Sequence, residues 1–316
     1  MSTSFRQLID AGDIDGLVRV IDDLTSDRDW EQLFELRVAA RAAASSGRQV
    51  WPAATLADYR LALRAPAALA TRVLDDAGRF TIGPLTEVVA QDHTFAELAP
   101  HLTPGPIQAY VAHERAIRGE VIDHDIFPAL DIPTNRAPWE PQYLLPTYRD
   151  SVVDVSSPEI PERLNAIAPR DVHSHDDPEV AEAFRLLIEP WTSSGSIEWN
   201  VQTANGGVES VLRNGRVVEL SRDEALTWLT WIGASAGPDG RRRGNASGRF
   251  STWWLLAALT DSLATWPPDE TTSFDHLEWF WWDDGHARQG WSVGLAVCDR
   301  QSGRSWTLDT RDRSVA

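Results

Sequence analysis

Apolar residues recur three and four positions apart from Phe5 to about Gly119, and that spacing predicts amphipathic helices along the whole stretch. Leu17, Val20, Ile21 and Leu24 form one stripe, Leu33, Leu36 and Val38 a second, and Leu56, Leu61 and Leu63 a third. Breaks are expected at residues that end helices: Gly12, Gly47, Pro52, Pro66, Gly78, Gly83 with Pro84, and Pro104 to Pro106. Short helices in such close succession pack as antiparallel pairs. A short solenoid is the extended version of that packing, although no strict repeat period runs through the stripes.

Beyond this stretch the pattern changes twice. From 121 to 176 eight prolines, Pro128 to Pro169, are scattered among acidic and aromatic residues. Trp139, Tyr143, Leu144, Leu145 and Tyr148 would be wasted on a free linker, so this connector is expected to lie packed on a surface. From Asp177 onward helical and alternating periods mix. Asp177-Pro-Glu reads as an N-cap followed by a first-turn proline, and Ser221-Arg-Asp-Glu224 as a capping box. A helix is expected over about 250–264, and strands over 196–204, 217–220, 276–282, 290–298 and 304–310, the last three joined by Asp-Asp-Gly and Ser-Gly-Arg turns. The expected fold class is α+β. An all-α domain spans 1–120, a Pro-rich packed connector 121–176, and a Trp-rich mixed α/β domain 177–316, ending in an antiparallel three-strand meander.

Composition narrows the function classes. The formal charge of −18 disfavours general nucleic-acid binding, which depends on cationic surface. The first 190 residues hold 31 acids against 17 arginines, so the acidic excess belongs to the helical part. All 29 basic residues are arginine, which removes every mechanism that needs a lysine amine, from P-loops to pyridoxal Schiff bases. No apolar run reaches the length of a membrane span, the N-terminus lacks a secretory layout, and Cys298 is the only cysteine. A cytoplasmic protein without a membrane partner is the expectation.

The most informative segment is Gly240-Arg241-Arg242-Arg243-Gly244-Asn-Ala-Ser-Gly248-Arg249, placed ahead of a helix that carries Trp253. Glycines let backbone amides approach an anion, and guanidinium forks grip phosphate or carboxylate. Arg241, Arg242, Arg243, Gly244, Gly248, Arg249 and Trp253 are therefore the candidate anion site. The competing reading pairs these arginines with the protein's own acids, such as Asp261, Asp283 or Asp284. Other motifs are weaker. Gly233-Ala-Ser235-Ala-Gly237 has the spacing of a nucleophile elbow, but a capped helix precedes it where a strand is required. His173-Ser-His175-Asp-Asp177 supplies too few ligands for a metal site, so neither a metal nor a cofactor is expected. In the run Trp279-Phe-Trp-Trp282, successive rings point to opposite faces. The strand is either covered on both sides or presents one aromatic face to a partner.

The string Gly233 to Trp254, with Leu277-Glu-Trp-Phe-Trp-Trp-Asp and Gly290-Trp-Ser-Val-Gly-Leu-Ala-Val, resembles an uncharacterised actinobacterial family of unknown function. Weaker echoes lie in Ile82-Gly-Pro-Leu-Thr-Glu-Val-Val and Val111-Ala-His-Glu-Arg. The resemblance implies no mechanism. The functional expectation is a non-enzymatic binding or scaffold protein for a protein partner or a small anionic ligand, with the arginine loop as its anchor. The alternative is an enzyme for a phosphorylated or carboxylated small molecule held at that loop, with Asp283, Asp284 or His286 as acid and base. A second alternative is nucleic-acid mimicry by the acidic helices.

Overall fold

The computed structural model describes residues 5–75, 81–162, 164–168, 176–192, 195–238, 240–269, 271–286, 288 and 290–313. Residues divide into two compact units, 1–129 with 146–155, and 130–145 with 156–316. The connector segment is thus shared between them. Gly78, His173 and His175 lie outside the described residues.

The first unit is built from α1 (Phe5–Ala11), α2 (Ile14–Ser26), α3 (Trp30–Ser45), α4 (Trp51–Arg64), α5 (Ala67–Ala70), α6 (Leu85–Asp92), α7 (Phe95–Leu98) and α8 (Pro106–Ile117). Gly12, at φ 67°, ends α1 in a conformation that costs other residues strain, and Asp13 then caps α2 by accepting the Gly16 amide at 2.8 Å. Asp29 caps α3 in the same way. Pro52 does not separate helices as expected. It sits in the first turn of α4, where its fixed φ suits the helix and its missing N–H is not needed. The apolar stripes converge on one core through Leu17, Ile21, Leu33, Leu36, Leu61 and Val88. A two-stranded ribbon, β1 (Thr147–Tyr148) with β2 (Val153–Asp154), belongs to this unit. It is pinned to α6. Tyr148 donates from its hydroxyl to Glu87 Oε2 at 2.6 Å and from its amide to Gln91 Oε1 at 2.6 Å.

The second unit is a six-stranded sheet with three long helices. Its strands are β3 (Asn165–Ile167), β4 (Ile197–Asn205), β5 (Gly215–Leu220), β6 (Leu277–Asp283), β7 (Gly294–Asp299) and β8 (Arg304–Asp312), in the order β3-β5-β6-β7-β8-β4 with every neighbour antiparallel. The expected meander is β6-β7-β8. The helices are α9 (Pro178–Thr192), α10 (Arg222–Ala234) and α11 (Asn245–Leu259), and the Ser221–Glu224 capping box opens α10. Helix α11 starts five residues earlier than the sequence suggests, because Gly248 and Arg249 lie in its first turns rather than in the loop. Along β6 burial alternates strictly. Leu277, Trp279 and Trp281 enter a core in which Trp281 meets Trp228 of α10 at 4.6 Å between ring centroids. On the opposite face half-buried Trp282 packs with Val211 and Leu212 of the β4–β5 connection. The aromatic run therefore fills both faces of a central strand, one under helices and the other under a loop.

Candidate functional site

The seven residues of the arginine loop separate into two groups. Arg241 and Arg243 are exposed, Arg243 donates to Glu189 Oε2 at 3.0 Å, and half-buried Arg242 donates to Asn245 Oδ1 at 2.8 Å. Arg249 and Trp253 are wholly buried within the sheet unit. The Arg249 guanidinium grips Glu140 with Nε at 2.6 Å and Nη2 at 2.7 Å, and donates to the carbonyls of Pro133, Thr134 and Asn135. Glu140 also accepts the Ala137 amide and the Tyr143 hydroxyl, both at 2.8 Å. This is a clamp that holds 130–145 on α11, and it leaves Arg249 no face for an external anion. Tyr143, pushed well above the ordinary tyrosine range by burial and by Glu140, stays a neutral donor within it.

The glycines of the motif also serve packing. A Cβ on Gly248 would lie 2.2 Å from the Thr230 carbonyl oxygen and 2.8 Å from the Ala234 amide nitrogen, so only glycine permits this approach of α10 and α11. Gly244, at φ 93°, is the residue before α11, and next to it the buried Asn245 donates to the Leu144 carbonyl at 2.9 Å. Gly248, Arg249 and Trp253 are thus corrected from ligand contacts to internal structure. Arg241, Arg242 and Arg243 are the part of the motif that solvent reaches.

The proposed acid and base groups have other partners. Asp283 is bidentate with Arg216 at 2.9 and 2.7 Å, and Asp284 pairs with Arg311 at 2.8 Å. Burial raises the Asp284 carboxyl, but Arg311 and the His286 amide outweigh it and hold the group below its ordinary range. The His286 side chain is 90% exposed. Asp284 lines a cleft of about 160 Å³ on the loop-covered face of the sheet, with Asn200, Gln202, Arg213, Asp309 and Arg311, and no loop arginine reaches it. Ser235 donates to the Trp231 carbonyl at the end of α10, so no elbow forms. Burial pushes the Cys298 thiol up, away from thiolate chemistry. Among the described residues no three His, Cys, Asp or Glu groups could hold a metal, and no helix is long and apolar enough to cross a membrane.

A larger concavity lies in the helical unit, a cleft of about 820 Å³ between α2, α4 and the α6–α7 turn. Its lining includes Trp30, Arg60, Arg64, Asp22, Asp92 and Asp150. Arg60 is 7% exposed, and its two terminal nitrogens reach Asp22 at 2.7 Å and Asp150 at 3.0 Å, while its Nε has no partner among the described residues. Arg64 reaches Asp150 at 3.3 Å and Asp92 at 3.5 Å. His93, also in the lining, keeps a buried Nε2 without a partner among the described residues. Behind Arg60, Tyr59 donates to the Arg149 carbonyl. Burial, opposed by Arg60 and Arg64 and reinforced by Asp150, pushes its hydroxyl up to about 12. With Arg28 the cleft presents three guanidinium groups and three carboxylates.

Sequence reasoning missed this site because its charges come from four separate segments and meet only in the fold. One local signal was present. Arg60 and Arg64 stand four apart on α4, a like-charge pair that an isolated helix disfavours and that calls for carboxylates from elsewhere.

No curated protein and no solved structure matches the chain. The model of a family of unknown function, DUF6183, matches residues 15–313. That match covers nearly the whole sequence, and the chain belongs to this family.

Proposed function

We propose that the chain is a non-enzymatic binding protein whose recognition site is the cleft of the helical unit, and that the cleft takes a small zwitterion. The observation that carries this reading is Arg60, a nearly buried guanidinium on the cleft lining with Asp22 and Asp150 on either side and an Nε unbonded among the described residues. A simple anion entering here meets three carboxylates and a simple cation meets three guanidinium groups. A ligand with separated positive and negative groups, such as a free amino acid, satisfies both sets and exchanges ion pairs rather than stranding them. Trp30 supplies an apolar wall for the ligand's body. The engagement of Asp283 and Asp284 by other arginines favours binding over acid-base chemistry at the loop.

Thermal-shift titration of wild type, Arg60→Met and Arg64→Gln with amino acids, their N-acetyl derivatives and their amides tests the reading. Ligand at 100 times its dissociation constant stabilises by about 2.7 kcal/mol, well within detection. The expected result is a shift with at least one free amino acid that its N-acetyl and amide forms lose and that both variants weaken. Equal shifts for all three forms, or none, would overturn the zwitterion site.

A second reading keeps the exposed Arg241, Arg242 and Arg243 as an anchor for an acidic segment of a protein partner, supported by the solvent access of Arg241 and Arg243. Replacing all three by alanine should then abolish polyanion binding and leave the amino-acid response intact.

A further inference from the structure

The loop-covered face of the six-stranded sheet carries a polar stripe that neither the core nor the arginine loop uses. Antiparallel register sets Glu198 of β4 against Arg311 of β8, Asn200 against Asp309 and Gln202 against Thr307, while the alternate residues Trp306 and Leu308 enter the core. The next strand adds only small residues to this face, since β7 places Gly294 against Asp309 and Ala296 against Thr307. Two adjoining concavities form along the stripe. The inner one, of about 160 Å³, reaches from Asn200 and Gln202 to Trp282 and residues 211–214 of the β4–β5 connection. The outer one, of about 350 Å³, is lined by Glu198, Trp199, Asn200, Asp309 and Arg311, so Asn200, Asp309 and Arg311 belong to both.

The acids of the inner cleft are already paired. Arg288, 9% exposed, donates to Asp309 at 2.6 Å, and Arg311 reaches Asp309 at 3.2 Å and Asp284 at 2.8 Å. The Trp282 ring is held as well: its indole N–H donates to the Leu295 carbonyl at 3.2 Å, and the Arg288 guanidinium lies 4.9 Å from the ring centroid. Among the described residues the side-chain amides of Asn200, Gln202 and Asn214 make no hydrogen bond, and each offers both donors and an acceptor to the cleft. A simple anion here would sit beside Asp284 and Asp309, and a simple cation beside Arg213 and Arg311, and like charges in contact are costly. A neutral ligand dense in hydroxyl groups meets amides, carboxylate acceptors and guanidinium donors without breaking an ion pair. Its C–H faces meet Val211, Leu212 and Trp282 inside and Trp199, 38% exposed, at the mouth.

We propose that this stripe binds carbohydrate, with one sugar ring in the inner cleft against Asn200, Gln202 and Trp282 and a second ring on Trp199 at its mouth. The inner volume lies below the roughly 300 Å³ at which pockets for drug-sized ligands begin, so it takes a single ring. The outer concavity takes the next unit of a disaccharide. The site uses no residue of the helical cleft and stands without the zwitterion reading.

Calorimetric titration of the full chain tests the proposal, with glucose, galactose, mannose and N-acetylglucosamine, and with maltose, cellobiose, lactose and chitobiose, each at up to about 10 mM, ten times a dissociation constant of about 1 mM. At least one disaccharide is expected to bind one-to-one, several-fold more tightly than its monosaccharide unit. Gln202→Ala and Asn200→Ala should each weaken both ligands about tenfold, the loss of one or two hydrogen bonds. Trp199→Ala should remove the advantage of the disaccharide and leave the monosaccharide unchanged, and Arg60→Met in the helical cleft should bind sugar as the wild type does. Absence of binding for every sugar overturns the proposal, as does sugar binding that survives both amide substitutions. Inorganic phosphate that binds as tightly as the sugar and displaces it would make the stripe an anion site and overturn it too.

Discussion

Glu140→Gln is the substitution that most sharply probes the reassignment of Arg249. It keeps the shape of the side chain and removes only the charge from a pair in which both partners are fully buried. The guanidinium would then remain inside the unit, still donating to the carbonyls of Pro133, Thr134 and Asn135 but with no counter-ion. Breaking a buried pair from one side costs about 3–5 kcal/mol, because the remaining charge stays desolvated. For a unit of this size about 2–4 °C of melting temperature accompanies each kcal/mol, so a fall on the order of 10 °C is expected. Urea unfolding followed by tryptophan fluorescence reads it selectively, since 12 of the 15 tryptophans lie beyond residue 190. The double substitution Glu140→Leu/Arg249→Met should lose less than the two single ones together, by at least about 1 kcal/mol, because it strands no charge. A Glu140→Gln protein that unfolds within 2 °C of wild type would refute the clamp and return Arg249 to the candidate ligand contacts.

Two further outcomes follow from the sheet unit. Gly248→Ala places a methyl group against the Thr230 carbonyl and should destabilise the unit by about 1–3 kcal/mol in the same urea assay, whether or not an anion is present; a neutral effect would remove the close helix approach. Burial raises the Asp299 carboxyl, but the Ser302 hydroxyl, the Gln301 and Ser302 amides and His276 outweigh it and leave the folded-state value below the ordinary one. The stability this gives is complete above the unfolded-state value of about 3.9 and is lost as pH falls through the depressed folded value. Asp299→Asn should therefore lower the urea midpoint at pH 7 and flatten its decline between pH 5 and 3; an unchanged slope would contradict the assignment.

What the sequence disclosed depended on whether the signal was local. The helical stripes, the Ser221–Glu224 capping box and the three closing strands were legible because periods of 3.6 and two and the cap residues are written within a few positions. Residue types taken without their neighbours mislead at two positions. Pro52 suggests a break, yet it suits the first turn of a helix, and Gly248 suggests an anion cradle, yet its missing side chain serves the contact of α10 with α11. The Arg249–Glu140 clamp joins residues 109 positions apart, and the cleft gathers Asp22, Arg60, Asp92 and Asp150. Nothing short of tertiary packing brings those charges together. The arginine motif is legible because its residues are contiguous, yet only Arg241, Arg242 and Arg243 of it reach solvent.

Calorimetric titration of free amino acids, each beside its N-acetyl form, into wild type and Trp30→Ala measures whether the helical cleft takes a zwitterion. The expected result is one-to-one binding of a free amino acid, loss of that binding on acetylation of its amine, and a dissociation constant raised at least about tenfold by Trp30→Ala, equivalent to about 1.4 kcal/mol of lost contact. Absence of heat for every free amino acid, or binding that neither acetylation nor Trp30→Ala alters, would contradict it.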